Sequence, residues 1–249
     1  MTEFVDGPYL RNQALEALAD GLVCGITRAV EGTFSLGAQS ESEVIDAYSR
    51  LAQALGFGLV AVGRQVHGCE VVSMTRVAAE RATDEDADVQ VAVPGRFDGL
   101  ITAAPDVLLA STAADCVPVH LLDPEARVLG LIHAGWRGVA AGILGRGLDL
   151  LLEEGSAGER VRVHLGPAIC GACYEVDRRV LDRFGVDADR ARLDLRGVLV
   201  AQALDAGVEN GHITVSTHCT SCGEAKLHSH RGSAGKAGRM AAFMGFQVI

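Results

Sequence analysis

The chain is almost without lysine: Lys226 and Lys236 are the only two among 249 residues. Acidic residues outnumber Lys and Arg by 32 to 22, giving a formal net charge of −10. A nucleic-acid backbone or an anionic membrane is held chiefly by clustered cations, so this balance argues against either as a non-specific partner. Any anion bound here must be held locally, and arginine, whose planar fork suits phosphate, is left to do it. Long hydrophobic runs are missing as well. None approaches the roughly 18 residues of a membrane-spanning helix, and Met1-Thr2-Glu3-Phe4-Val5-Asp6 has neither the basic segment nor the apolar stretch of an export signal. The expectation is a cytoplasmic protein. Internal repeats and low-complexity linkers are absent too, so residues 1–249 read as one domain, a size at which α/β folds commonly form a single unit. Seven cysteines, an odd number, read as thiols and metal ligands rather than as a disulfide framework.

Almost half of the composition is apolar, enough to bury a large core. Helical spacing of apolar residues predicts helices over Leu10 to Ala19 and Glu41 to Leu55. Short apolar runs predict strands over Gly21 to Thr27, Leu59 to Val62, Val107 to Ser111, Val117 to Leu122 and Val128 to Ile132. The last three follow one another quickly and point to a mixed or antiparallel sheet. After His133 come a glycine turn and a long amphipathic segment, Val139 to Glu153, so a strand leads through a turn into a helix. Further strands are expected at Val161 to Leu165 and His212 to Ser216, and further helices near Asp177 to Phe184, Gly197 to Ala206 and Lys236 to Met244.

Three separated segments carry chemistry: Gln65-Val66-His67-Gly68, Ala114-Asp115-Cys116-Val117-Pro118 and His133-Ala134-Gly135-Trp136-Arg137-Gly138. Two imidazoles and one thiolate suit zinc, and three protein ligands leave a coordination position open for water or substrate. Taken singly, each residue has a plainer reading. His67 sits on a turn where a lone histidine is usually structural, Cys116 is a small residue between apolar strands, and His133 ends a strand at a place where side chains converge. Asp115 can act as a general base, orient a ligand, or cap a tight turn, and these readings stay open. Trp136, the only tryptophan, can stack on a ring or cover the core. Arg137, near a helix start, can help to hold an anion.

These segments, with Gly166-Pro167-Ala168-Ile169, Tyr174-Glu175-Val176, Cys219-Thr220, Ser229-His230-Arg231 and Gly238-Arg239-Met240 in collinear order, resemble the YfiH/LACC1 family. That family was once labelled polyphenol oxidases and is now regarded as zinc-dependent purine nucleoside enzymes. The resemblance implies an α/β sandwich of layered mixed sheets flanked by helices, with His67, Cys116 and His133 as zinc ligands. It implies purine nucleoside and phosphate as partners: phosphorolysis of adenosine, guanosine, inosine or methylthioadenosine, with deamination of adenosine as a second activity. Arg28 and Arg231, with Arg137, correspond to candidate substrate contacts. The chain departs from the pattern where relatives carry Ser-Tyr-Arg-Arg: here Ser229-His230-Arg231-Gly232 has one arginine fewer.

A second constellation stands apart. Cys170 and Cys173, and Cys219 and Cys222, form two C-x-x-C pairs with 45 residues between them, far beyond the compact spacing of a zinc ribbon. Ordinary thiols are the favoured expectation there, ahead of a second metal. Three other functions compete with the nucleoside reading. A copper polyphenol oxidase needs an imidazole-rich centre, usually built from several His-x-His pairs, and this chain has His228-Ser229-His230 alone. A cysteine hydrolase would need only Cys116 as nucleophile and His133 as base. A non-catalytic binding protein would explain the missing arginine.

Overall fold

The computed structural model describes residues 3–29, 33–34, 40–75 and 89–248. Its strands, in chain order, begin with β1 (Phe4–Asp6), β2 (Tyr9–Arg11), β3 (Leu22–Thr27), β4 (Leu59–Val62) and β5 (Val71–Ser73). Then come β6 (Gln90–Ala92), β7 (Gly99–Thr102), β8 (Val107–Ala113), β9 (Val117–Asp123) and β10 (Val128–Ala134). The last are β11 (Arg162–Leu165), β12 (Glu175–Asp177), β13 (Arg190–Arg192), β14 (Ile213–Val215) and β15 (Met240–Phe246). Among the described residues they form a seven-stranded sheet ordered β1-β2-β3-β15-β8-β4-β6, a six-stranded sheet ordered β14-β11-β9-β10-β7-β5, and a two-stranded ribbon of β12 and β13. Both large sheets are mixed: β4 runs parallel to β6 and β8, β5 to β7 and β11 to β14, while the other neighbours are antiparallel.

Alternation along the strands explains the layers. In β8, Leu109 joins Leu59, Ile26, Leu122 and Leu131 between the two sheets, whereas Leu108 and Ala110 face the other way. That outer face is covered by helix Glu41–Ala54, whose stripe Val44, Tyr48, Leu51, Ala52 is buried on it. The helix starts with a capping box between Ser40 and Glu43, which satisfies two otherwise orphaned backbone donors. On the far side, Val119, Leu121 and Ile132 of the six-stranded sheet pack on Ile143, Leu144, Leu148 and Leu151 of helix Ile143–Glu153 and on Leu199 of helix Leu195–Asp205. The result is the layered α/β sandwich expected, with three apolar strata.

Three expectations need correction. The segment predicted as a helix over Lys236 to Met244 instead forms β15, in the middle of the larger sheet. Met240 to Phe246 is buried at every position, so its apolar run has no solvent face to give it a period. Only Gln13–Glu16 of the Leu10 to Ala19 helix is helical, since Leu10 pairs in β2 with Val5 and Ile26. The amphipathic segment after His133 is two helices, Trp136–Ala140 and Ile143–Glu153, broken where Gly142 takes φ +78°, a conformation costly for any residue with a Cβ.

His120 of β9 is buried against His164, their rings 5.7 Å apart. Burial, and then the neighbouring His164, push its pKa down to about 3. The folded-state value lies below that of the unfolded chain, so His120 costs nothing above about pH 6.5 and penalises the fold progressively as the pH falls from there towards 3. Denaturation curves measured between pH 7 and pH 4 should show His120→Leu losing less stability than the parent, by about 1 kcal/mol per pH unit. Parallel slopes in the two proteins would exclude this source.

Candidate metal centre and active-site cavity

Three connections carry the chain from the seven-stranded sheet into the six-stranded one, and each delivers a polar residue to one spot. His67 lies between β4 and β5, Asp98 between β6 and β7, and Cys116 between β8 and β9. The expectation that β8, β9 and β10 share a sheet is therefore corrected: Cys116 stands where the chain changes layer. Two of these turns require left-handed backbone, His67 at φ +59° and Asp115 at φ +91°. Such conformations are uncommon without glycine and persist where surrounding contacts over-determine them. His133 arrives from the end of β10, immediately before the glycine turn.

The ligand atoms of His67, Cys116 and His133 lie within 4.8 Å of one another, and the two rings stand nearly perpendicular at 84° with centroids 4.8 Å apart. His133 is buried, Cys116 half-buried and His67 exposed, so the group opens outward on one side. Asp98 organises it. One carboxylate oxygen accepts from His133 Nδ1 at 2.8 Å and from the His67 backbone N–H at 2.9 Å, and the other accepts from the N–H groups of Gly68 at 2.7 Å and Val66 at 3.2 Å. Holding Nδ1 leaves Nε2 of His133 turned towards Cys116 and available to a metal, the arrangement by which a carboxylate fixes a metal-binding histidine. With its soft and borderline donors and an open side, the set fits zinc.

Electrostatics agree with a ligand role. Burial opposes ionisation of Cys116, but the charge of His133 and hydrogen bonds from His133 and His67 outweigh it and bring the thiol down to about 6. Burial likewise opposes the charge on His133, and Cys116 and Asp98 overcome it, raising the imidazole to about 9. Without metal the two form a thiolate–imidazolium pair at neutral pH. Asp98 is held below the ordinary carboxylate range, its desolvation outweighed by His133 and by the N–H groups of Gly68 and Val66.

Beside the three ligands opens a cavity of about 460 Å³, within the usual range for a small-molecule site. Arg137, Arg231 and Arg239 give it a cationic wall, and Trp136 and Tyr174 give it aromatic surface. Arg137 stacks on Trp136 with its guanidinium carbon 4.4 Å from the ring centroid, and Arg231 lies 5.2 Å over Tyr174 while donating to Glu175 O at 2.6 Å. Burial, then Cys116, push Tyr174 up to about 12, so its hydroxyl stays protonated and able to donate. Asp115 also lines the cavity, but its carboxylate accepts from Thr220 Oγ1 at 2.6 Å, Ser229 Oγ at 2.7 Å and the Arg231 N–H at 2.7 Å. Arg28 is not among the described residues lining the cavity: its guanidinium donates to Ala225 O and Gly7 O, each at 3.1 Å.

Gly135 packs against the ligands. A Cβ there would sit 3.0 Å from His67 Cδ2 and 3.2 Å from Cys116 Sγ. Gly135→Ala is therefore expected to weaken metal binding about tenfold by displacing the ligands while leaving the thermal transition of the metal-free protein nearly unchanged. Chelator competition against a melting curve separates these two effects.

Sequence reasoning does not find Asp98. It stands before Gly99 like an ordinary turn residue, and nothing in its spacing ties it to His133, 35 positions away. Tyr174 and Arg239 lie inside recognisable motifs without a chemical signature of their own. The second cysteine constellation, distant in sequence, comes together in the fold: the Sγ atoms of Cys170, Cys173, Cys219 and Cys222 all lie within 4.8 Å of one another. Separation along the chain is a poor guide here because β11 and β14 are parallel neighbours, so the loops leaving their ends emerge side by side.

A family model described as multi-copper polyphenol oxidoreductase laccase matches residues 24–247. The purine nucleoside phosphorylase YlmD of Geobacillus stearothermophilus is 40% identical over 220 residues, covering 82% of this chain and 79% of that protein. The adenosine deaminase RL5 of an unknown prokaryotic organism is 32% identical over 203 residues, 76% of each. The crystal structure of YlmD from Geobacillus stearothermophilus superposes with a TM-score of 0.83 at 33% identity, covering 99% of both chains.

Proposed function

Starting from the YfiH family, to which the chain belongs by a family model spanning most of its length, we propose that it is a zinc-dependent purine nucleoside phosphorylase with adenosine deaminase activity. Its substrates on this reading are adenosine, guanosine, inosine or methylthioadenosine, with inorganic phosphate. One observation carries the proposal: an open group of two imidazoles and a thiolate beside a cavity walled by Arg137, Arg231 and Arg239. Its support comes from relatives named for the two activities. A multinuclear copper centre has less to build on. Among the described residues only two groups of three or more potential ligands come together, and they hold two imidazoles between them, too few for several copper ions.

On this reading His67, Cys116 and His133 hold the zinc, and Asp98 fixes the ring of His133 and the backbone around His67. When bound, the ion supplies a Lewis acid at the open position. In phosphorolysis a phosphate oxygen attacks the anomeric carbon, the bond from that carbon to the purine nitrogen breaks, and the base leaves with the electron pair and a proton. The arginines hold and orient the phosphate dianion and neutralise its charge. Trp136 and Tyr174 offer faces for the purine. In deamination, water adds at C6 and ammonia departs, with no change of oxidation state.

Asp115 acts on this reading as a positioning residue, since three donors occupy its oxygens and bind the loop carrying Thr220, Ser229 and Arg231 to the Cys116 turn. Asp115→Asn would turn an amide N–H₂ towards one of those donors. It is expected to reduce kcat/KM about tenfold with zinc content and the pH profile unchanged. A loss nearer the 10² to 10⁴ of a general base, together with the disappearance of one limb of the pH profile, would reassign it.

Chromatography of adenosine incubated with zinc-loaded protein, with and without phosphate, tests the function. Adenine formed only with phosphate supports phosphorolysis, and inosine formed in both supports deamination. Silence in every lane with zinc bound overturns the proposal. A cysteine hydrolase is the second reading, favoured by the lowered thiol of Cys116 beside a protonated His133. A chelator would spare that activity and an alkylating reagent would stop it.

A further inference from the structure

We propose that Cys170, Cys173, Cys219 and Cys222 bind a second zinc ion as a closed tetrathiolate, which clips the loop after β11 to the loop after β14 and so fixes one wall of the cavity.

The geometry is that of a site for a single ion. Four thiolates about 2.3 Å from a tetrahedral zinc stand about 3.8 Å from each other, and here all four sulfurs lie within 4.8 Å of one another. Two separate disulfides would need contact only within each pair. Ligands of an iron–sulfur cluster are spread around a core of several metal atoms. Both pairs sit on tight turns: the Cys173 N–H donates to Cys170 O at 2.9 Å and the Gly223 N–H to Cys219 O at 3.0 Å. A Cβ at Gly223 would lie 2.4 Å from Cys219 O, so the second turn closes only with glycine after the cysteine pair. Backbone amides already point at one sulfur, since the N–H groups of Cys170 and Ser221 donate to Cys219 Sγ at 3.3 Å and 3.4 Å. Donors aimed at a sulfur favour the thiolate that a metal requires. Cys219 is buried and Cys222 exposed, which leaves the ion a way in from solvent. Each thiol gives up its proton on binding, and four protein ligands leave no position for substrate.

The two loops serve the cavity directly. Tyr174 follows Cys173 and lines it. Thr220 follows Cys219, donates to Asp115 through its hydroxyl at 2.6 Å and to Ala168 O through its N–H at 3.1 Å. The Ile169 N–H, next to Cys170, donates to Asp115 O at 3.1 Å. An ion holding Cys170 and Cys219 together therefore holds both sides of the Asp115 turn.

Elemental analysis of the full-length protein after zinc loading and desalting tests this, with native thiol titration and intact mass under denaturing conditions alongside. The expected result is two zinc ions per chain, five thiols (Cys116 and these four) shielded from the reagent until a strong chelator is added, and a fully reduced mass. Cys173→Ser with Cys222→Ser should retain one ion. His67→Ala with Cys116→Ala should also retain one, still protecting the four thiols, and this arm stands if the first variant does not fold. One ion per chain in the parent, lost entirely from the His67/Cys116 variant, would overturn the proposal, as would a mass showing disulfides. A failed nucleoside assay leaves this count untouched.

Discussion

Cys116→Ala is expected to abolish nucleoside turnover, by about a thousandfold or more, and to remove one zinc ion per chain. The loss follows from the role proposed for the thiolate. It contributes one of three donors to an ion worth several kcal/mol to the transition state, and each 1.4 kcal/mol is a factor of ten in rate. In the metal-free protein, losing the thiolate also removes one of the two groups, Cys116 and Asp98, that favour the charged form of His133. The measurement is product formation by chromatography together with elemental analysis of the same preparation. Full activity in the variant would remove Cys116 from both the metal and the hydrolase readings. Activity lost while the ion count stays unchanged would instead favour the thiolate as nucleophile.

Asp98→Ala should have the largest effect on stability, about 3 to 5 kcal/mol, because it leaves a buried charge and a set of oriented donors without their partner. The side chain is wholly buried and accepts from His133 Nδ1 and from three successive backbone N–H groups, those of Val66, His67 and Gly68. Asp98→Asn keeps the shape but offers a single acceptor oxygen, and should lower zinc affinity by about 10 to 100-fold with a smaller loss of stability. The pH dependence has a definite sign. A carboxylate held below its unfolded value stabilises the fold above that value, and its contribution is lost as the pH falls through the depressed one. Denaturant melts from pH 7 to pH 3 should therefore be steepest for the parent and flatter for Asp98→Asn. Equal slopes and equal zinc affinity would show that the carboxylate is incidental.

How much of this could be read beforehand differs by element. Leu59 to Val62, an apolar run bounded by Gly58 and Gly63, and Val128 to Ile132, a short apolar run soon after the Asp123-Pro124 turn, declare themselves as strands, and both lie within strands of the structure. Helix Glu41–Ala54 is equally plain, since its one buried stripe leaves a helical period. Met240 to Phe246 is not, because an element buried on both faces loses the very contrast that a period needs. The family resemblance, more than spacing, proposes His67, Cys116 and His133 as one site, and the fold brings them within reach of one another. Asp98 stays hidden because its partners are backbone amides and one ring nitrogen, which leave no mark on composition or spacing. The four cysteines look too far apart in the chain only because strand adjacency is a property of the sheet order and not of the sequence.

The place of β15 governs when the molecule can assemble. It lies between β3 and β8, pairing with both, and is the last strand of the larger sheet to leave a ribosome. Until it arrives, β1, β2 and β3 are a ribbon with no neighbour on one side, and β8, β4 and β6 are a separate half-sheet with an open edge. Both halves present unpaired backbone groups and the apolar faces that later meet in the core, which is the condition that invites misassembly between nascent chains. The larger sheet therefore cannot close until β15 has been made, and until then its two halves stay open to pairing with other chains.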